Sequence, residues 1–300
     1  MTRERARGGG MRTSRLPLLL AGLCGALVTG GALLATSSGR QWLHRVDSAV
    51  LGERGTDAWA RWRASEDWSS VAPLRPGQDY AWLAAAGVPV RIAHALGESD
   101  QRTANTLGAA RRAYAAGLRV LEVDLVLEGG ELRCQHDPGP QGDLLKDGCN
   151  INTLLSTVPR DAWIVLDLKS DIETAGQYIV DRIQGTPDER RVVFQLYQPK
   201  DFSLFNRWQS RANLPGPILS TYRVRRSVDH VARHADRLGV GAFAVPLDRL
   251  PALSFRPAGA RILAHPVHDC LSWAEALRRV DGVYTLSSLQ CASLSPVRST

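Results

Sequence analysis

The chain has 300 residues, 44% of them hydrophobic, enough for one large domain or two small ones with a sizeable core. Its formal charge of +7 overstates the basicity of the folded part, because Arg3, Arg5, Arg7, Arg12 and Arg15 crowd the N-terminus. The remaining basic residues are scattered and form no basic–aromatic motif, which argues against nucleic-acid binding.

Residues 1–15 form the basic tail and lead into residues 16–36, where Leu16 to Ala35 carry no charge. A run of about 20 apolar residues is long enough to cross a bilayer as a helix. A cleaved signal would have a shorter apolar region, about 7–15 residues, ending in a small-x-small site. Leu33-Leu34-Ala35 fits that poorly, and Cys24 follows Leu23 where a lipoprotein site requires a small residue. We therefore read 16–36 as an uncleaved transmembrane signal anchor. The arginines before it stay cytoplasmic, which places everything from about residue 40 in the periplasm or outside the cell, in a single-pass topology. Residues 37–88 form a Trp-rich linker or helical segment containing Trp42, Trp59, Trp62, Trp68 and Trp82. Trp42 suits the bilayer interface, and Trp59 and Trp62 would share one helix face. Packing of this segment against the main domain is the expectation.

From 89 to 300 short apolar runs alternate with helical patterns. The predicted strands are 91–96, 120–127, 163–168, 192–197, 217–222, 242–247, 261–267 and 281–286. Between them lie predicted helices over Thr106–Ala116 (capped by Asn105 or Thr106), Ile172–Gln184, Lys200–Arg211, Ser227–Leu238 and Leu271–Val280. Strands alternating with helices imply parallel strands joined by right-handed crossovers. Eight such units predict an α/β fold, a (β/α)8 TIM barrel. Glu128-Gly129-Gly130 reads as a tight turn that lets the second strand return as a short hairpin ending at His136.

With Cys24 in the anchor, Cys134, Cys149, Cys270 and Cys291 remain, an even number in a compartment that permits disulfides. Three pairings exist on paper. We expect Cys134–Cys149 and Cys270–Cys291. No two have Cys-x-x-Cys spacing, which argues against a zinc site.

Polar residues interrupt the apolar strands at His94, Glu122, Asp124, Asp167 and Lys169, and His136 ends the hairpin. Side chains two apart on a strand point the same way, so Glu122 pairs with Asp124 and Asp167 with Lys169. A buried carboxylate needs a partner or a metal. Three carboxylates without a dense Cys/His cluster suit one hard divalent cation, Mg2+ or Ca2+. Lys169 would hold a phosphate oxygen, while His94 and His136 would act as general base and acid. Together they describe phosphodiester cleavage. Asp137 sits in an ordinary Asp-Pro-Gly turn. His265, His268 and Asp269 lie near the same rim, where loop polarity explains them as well. Tyr222 and Trp273 are candidates either to shape a pocket or to pack in the core, and core packing is the expectation.

His94, the Glu122-x-Asp124 pair after Ala116-Gly117-Leu118, His136-Asp137 and the helix start Thr103-Ala104-Asn105-Thr106 resemble the glycerophosphodiester phosphodiesterase signature. That phospholipase-C-like barrel superfamily includes the sphingomyelinase D-type phospholipases. The Gln195 strand end and Asp281-Gly282-Val283-Tyr284-Thr285 are similar to its later strands. The resemblance implies a phosphoric diester hydrolase, glycerophosphodiesterase-like or phospholipase D-like, acting on a glycerophosphodiester or a (lyso)phospholipid beside the membrane. Two departures stand out: Ala95-Leu96 replaces the family's Arg-Gly after the first histidine, and Ala104 replaces a glutamate. Asp167-Leu168-Lys169 and the cysteine-bounded loop 134–149 are similar to the sphingomyelinase D-type branch, which implies attack by a substrate hydroxyl and a cyclic phosphate product. The alternative is a catalytically inactive barrel that binds a lipid or phosphate ligand, favoured by the two departures.

Overall fold

The computed structural model describes residues 67–136, 147–224, 226–289 and 291. The chain divides into two compact units, 1–64 and 65–300, and the described residues belong to the second. The basic tail, the apolar run 16–36 with Cys24, Trp42, Trp59, Trp62 and Asp137 lie outside them. Among the described residues no helix is long and apolar enough to cross a membrane.

Among the described residues nine strands form one sheet: β1 (Val90–Ala93), β2 (Val120–Glu128), β3 (Glu131–Cys134), β4 (Trp163–Leu168), β5 (Val192–Leu196), β6 (Ile218–Ser220), β7 (Ala242–Pro246), β8 (Arg261–Val267) and β9 (Gly282–Thr285). Their order is β1-β9-β8-β7-β6-β5-β4-β2-β3, and β1 also pairs with β2. All pairings are parallel except β2–β3, the returning arm of the hairpin. The result is a closed barrel of eight parallel strands with β3 appended, as the alternation in the sequence predicts.

Helices α1 (Ala81–Ala85), α2 (Leu107–Ala115), α3 (Ile151–Thr157), α4 (Ile172–Ile183), α5 (Pro199–Trp208), α6 (Val228–Leu238) and α7 (Cys270–Leu277) accompany the strands. Their starts follow local chemistry: Thr106, Asp171, Ser227 and Asp269 each accept a hydrogen bond from a first-turn amide. In α6, Val228, Val231, Ala232, Ala235 and Leu238 are buried at helical spacing, so one stripe seals against the strands.

Strand alternation divides the core in two. Outward residues such as Leu121, Val123 and Leu125 pack under the helices. Inward residues Val90, Ile92, Val120, Val165, Val193, Ile218, Ala242, Ala244 and Leu263 fill the lower barrel. Each Val, Leu or Ile so buried contributes about 1.5–3 kcal/mol. Trp82 belongs to this inner layer and donates its indole N–H to Gly216 O at 3.0 Å. Trp68 is buried beside Phe202 with ring centroids 5.7 Å apart, so residues 67–88 pack on the barrel. Disulfides join Cys134 to Cys149 and Cys270 to Cys291, as expected.

Two local features differ from expectation. β1 ends at Ala93 instead of running to residue 96, because Ala95 (φ 48°) and Leu96 (φ 62°) enter the left-handed region. An apolar run gives no warning of such a turn. Helix α3 was not among the predicted helices; its signal was the Asn150-x-x-Thr153 capping box, each side chain accepting from the other's backbone amide.

Candidate functional site

At the C-terminal rim the inward positions turn polar. β2 carries Val120, Glu122 and Asp124 up one wall, and Asp124 is the register partner of Asp167 on β4. One oxygen from each of Glu122, Asp124 and Asp167 lies within 4.8 Å of the other two. Their exposures are 0%, 3% and 4%, so water does not solvate these carboxylates and partners must.

Some of those partners are present. Glu122 Oε2 accepts from the Ala95 amide at 2.7 Å, a contact made by the left-handed turn after β1. Asn105 clasps Asp124: its Nδ2 donates to Asp124 Oδ2 at 2.8 Å, and its Oδ1 accepts from the Asp124 amide at 3.0 Å. Asn105 holds φ at 56°, a conformation asparagine tolerates better than most residues. Thr106, not Asn105, caps α2. Lys169 Nζ lies 2.8 Å from Asp124 Oδ1 and 2.6 Å from Asp167 Oδ2. Glu122 Oε1 and Asp167 Oδ1 are buried with no hydrogen-bond partner.

Three carboxylates face the Lys169 ammonium, and the Arg223 guanidinium stands farther off, 3.9 Å from Asp167 Oδ1. Burial and the neighbouring Asp124 and Asp167 push Glu122 well above the usual carboxylate range. Burial acts upward on Asp124 too, but Lys169 and the bond from Asn105 outweigh it and hold it low. Burial acts downward on Lys169, but Asp167 and Asp124 raise it above its ordinary value, so it stays charged. An all-oxygen donor set, in which Glu122 Oε1 and Asp167 Oδ1 lack hydrogen-bond partners, fits a hard divalent cation.

Four histidines surround this cluster. His94 follows β1, His136 stands exposed beyond β3, His265 lies inside β8, and His268 follows β8. His94 Nδ1 is 3.3 Å from His268 Nε2, and its ring centroid is 4.8 Å from that of His265. Burial pushes His94 down to about 4; Asp124 pulls it back, while His268, Lys169 and His136 push it further down. His265 is pushed well below its ordinary value by burial and then by His94. Neither of its ring nitrogens has a hydrogen-bond partner, and Tyr284 and Tyr222 approach with centroids at 4.4 and 5.5 Å.

All six sequence-predicted site residues thus come to one rim, and the histidine in hydrogen-bond contact with His94 is His268. Tyr222 is 54% exposed, so it belongs to the mouth and not the core, whereas Trp273 is buried in the outer core. Sequence reasoning missed Tyr197 and Arg223. The Arg223 guanidinium lies 4.6 Å over the Tyr197 ring, with one nitrogen 3.9 Å from Asp167 Oδ1. A chain of bonds also crosses the barrel, from Tyr284 Oη to Gln195 Oε1 at 2.6 Å and from Gln195 Nε2 to Tyr197 Oη at 2.5 Å. Gln195, a polar residue within the apolar strand β5, was the available signal for this chain of bonds.

No family model matches the chain, and no curated protein sequence does. Solved structures do. A glycerophosphodiester phosphodiesterase from Thermotoga maritima is 19% identical with a TM-score of 0.52, over 65% of this chain and 93% of its own. A glycerophosphodiester phosphodiesterase from Parabacteroides distasonis is 15% identical, with a TM-score of 0.52, over 65% of this chain and 91% of its own. A phosphodiesterase from Oleispira antarctica, solved in complex with the product sn-glycerol-3-phosphate, is 16% identical with a TM-score of 0.54, over 70% and 98%. The chain shares the (β/α)8 barrel fold of these phosphodiesterases. At these identities the likeness establishes architecture, and the chemistry rests on the rim itself.

Proposed function

We propose that this chain is a phosphoric diester hydrolase that cleaves glycerophosphodiesters or (lyso)phospholipids by histidine acid–base catalysis with one divalent cation, Mg2+ or Ca2+. The observation that carries the reading is the buried Glu122–Asp124–Asp167 cluster, with two oxygens that lack hydrogen-bond partners, lying beside Lys169 and His94. The complex of the Oleispira antarctica phosphodiesterase with sn-glycerol-3-phosphate supports a substrate of that type.

Glu122, Asp124 and Asp167 would hold the cation, which when bound supplies positive charge to the non-bridging phosphoryl oxygens. Lys169 adds charge from the protein side, its ammonium already fixed between two carboxylates. Held neutral at physiological pH, His94 is ready to take a proton from the attacking hydroxyl. His136 then protonates the departing alcohol oxygen. If the attacking group belongs to the substrate, the product is a cyclic phosphate; if it is water, an open phosphomonoester forms. Asp167-Leu168-Lys169 and the cysteine-bounded loop favour the cyclic route.

We place the barrel on the extracytoplasmic side of a membrane, tethered by the apolar run 16–36. Two disulfides in the barrel support an oxidising compartment. A mature N-terminus near residue 36 would remove the anchor from this reading, and protease protection of the barrel from the outside would reverse the topology.

The deciding experiment offers glycerophosphodiesters, lysophospholipids and a chromogenic phosphodiester to the purified protein with Mg2+ or Ca2+. Turnover that EDTA abolishes is expected, and phosphorus NMR of the product separates the cyclic from the open route. Stabilisation by the cation without any turnover would instead identify a binding protein on this barrel.

A further inference from the structure

We propose that His268 is a positioning residue and proton relay for His94, fixing Nε2 of His94 as the nitrogen that meets substrate and connecting its Nδ1 to solvent. The inference rests on the phosphodiesterase reading and adds a role which that reading does not contain.

The contact is specific. His268 Nε2 lies 3.3 Å from His94 Nδ1, with ring centroids 5.4 Å apart. One partner is half-buried in the rim and the other is exposed, so the pair spans the boundary between site and water. His268 is also held from both sides along the chain. Val267 before it pairs with Thr285 of β9. After it, Asp269 caps α7, accepting from the Ser272 amide at 2.8 Å and its hydroxyl at 2.6 Å, and Cys270 is tied to Cys291. The Asp269 carboxylate is thereby committed to the helix start. Neighbours so anchored fix the backbone from which the His268 ring reaches His94.

The surroundings of His94 give the relay a purpose. Asp124 on β2 is the anion near it, while Lys169 after β4, His136 after β3 and His268 after β8 all disfavour positive charge there, and His265 stands edge-on to its ring. An imidazolium at this position is costly. With hydrogens on Nδ1 of both rings, His94 donates Nδ1–H to His268 Nε2 and presents the Nε2 lone pair to substrate. As the attacking hydroxyl gives its proton to Nε2, the Nδ1 proton passes to His268 Nε2, and His268 releases its own Nδ1 proton to water. His94 ends neutral, with its hydrogen on Nε2. The reset runs in reverse: His268 takes a proton from water, returns one to Nδ1, and the Nε2 proton leaves to the water that replaces product.

The test uses the full chain as wild type, His268→Ala and His268→Asn, with two readouts. Nitrogen-15 NMR of His94 reports which ring nitrogen bears hydrogen, independent of turnover. The wild type should show hydrogen on Nδ1, and His268→Ala should shift the population toward Nε2; identical spectra would overturn the contact. In kinetics on a glycerophosphodiester, kcat of His268→Ala should fall by on the order of 10²-fold with KM and melting temperature unchanged. Added imidazole should restore it in a saturable manner. His268→Asn keeps a hydrogen-bonding group but cannot relay, so it should stay slow without imidazole. Wild-type kcat in either variant, or a loss that imidazole does not repair, overturns the relay while leaving the phosphodiesterase reading intact. A wild type inactive on every phosphodiester sinks that reading and the relay together, and the NMR comparison still decides whether His268 sets the His94 tautomer.

Discussion

Asp167 is the carboxylate whose removal should speak most directly about the rim. Its Oδ2 binds Lys169 and its Oδ1 has no hydrogen-bond partner, so an amide at this position keeps the shape and deletes one negative charge. Asp167→Asn should weaken Mg2+ or Ca2+ binding by about tenfold or more while the barrel stays folded, since the loss of one carboxylate relieves repulsion on Glu122. Calorimetry with unchanged affinity would remove Asp167 from the metal site. His94→Ala should lower turnover by about 10²–10⁴-fold with folding intact, and so should His136→Ala, because a positioned acid or base contributes that much. Full activity in His94→Ala would sink the acid–base mechanism. The residues most legible in the sequence were those whose polarity contradicts their strand: Glu122, Asp124 and Asp167 are charged yet lie in apolar runs. Arg223 and Tyr197 gave no such contrast, since an arginine in a loop and a tyrosine at a strand end are ordinary there. His268 was visible as a rim histidine, but its contact with His94 spans 174 residues of sequence and depends on barrel closure.

Among the elements, the turn His94–Gly97 shows where pattern reading ends. The run Ile92-Ala93-His94-Ala95-Leu96 reads as strand, yet Ala95 and Leu96 take positive φ so that the Ala95 amide can meet Glu122. Gly97 completes the turn at φ 92°, and a Cβ there would lie 3.0 Å from Ser287 Cβ and 3.1 Å from Ala113 Cβ. Left-handed backbone costs roughly 1–2 kcal/mol per non-glycine residue, and tertiary contacts decide that it is tolerated. Helices with caps were legible to within a few residues because Thr106, Asp171, Ser227 and Asp269 act locally. Helix packing yields a sharper prediction at Gly176. A Cβ added in α4 would lie 2.1 Å from Trp208 Cη2 of α5, and the indole is itself buried. Gly176→Ala should therefore destabilise the barrel by about 1–3 kcal/mol despite alanine's better helix propensity, read as a drop in the denaturant midpoint. A rise in stability would show that α4 and α5 pack less closely than this. Loss of the Cys134–Cys149 bridge, which closes a span of 15 residues, should cost on the order of 3 kcal/mol in the chain-entropy model. Thermal unfolding of the double Cys→Ser variant measures it.

For the whole molecule, the strand–helix rhythm made the barrel legible, while closure itself, through β1 pairing with both β2 and β9, is a long-range event that no local pattern states. The same closure gathers groups whose protonation differs from that of the unfolded chain, which couples global stability to pH and to the cation. His94, lowered to about 4, and His265, lowered well below 6.5, are neutral in the fold. Their effect on stability is absent above the unfolded value of 6.5 and becomes unfavourable as pH falls toward the folded values, because the unfolded chain then binds the protons. Glu122 works in the opposite sense. Its folded value lies well above 4.5, so without a cation the fold keeps its proton while the unfolded chain ionises, and stability declines as pH rises through that interval. A cation held by Glu122, Asp124 and Asp167 would displace that proton, so protons would compete with metal. Where one proton is released per ion bound, affinity rises up to about tenfold per pH unit, or about 1.4 kcal/mol. The gain in melting temperature on adding saturating Mg2+ or Ca2+ should therefore grow between pH 5 and pH 7, and calorimetry in buffers of different ionisation enthalpy should show proton release. In Glu122→Gln the pH dependence of that gain should flatten along with weaker binding. A cation-induced shift in melting temperature that is the same at both pH values, with no proton released, would show that Glu122 is already ionised in the metal-free fold and that the rim is balanced by other means.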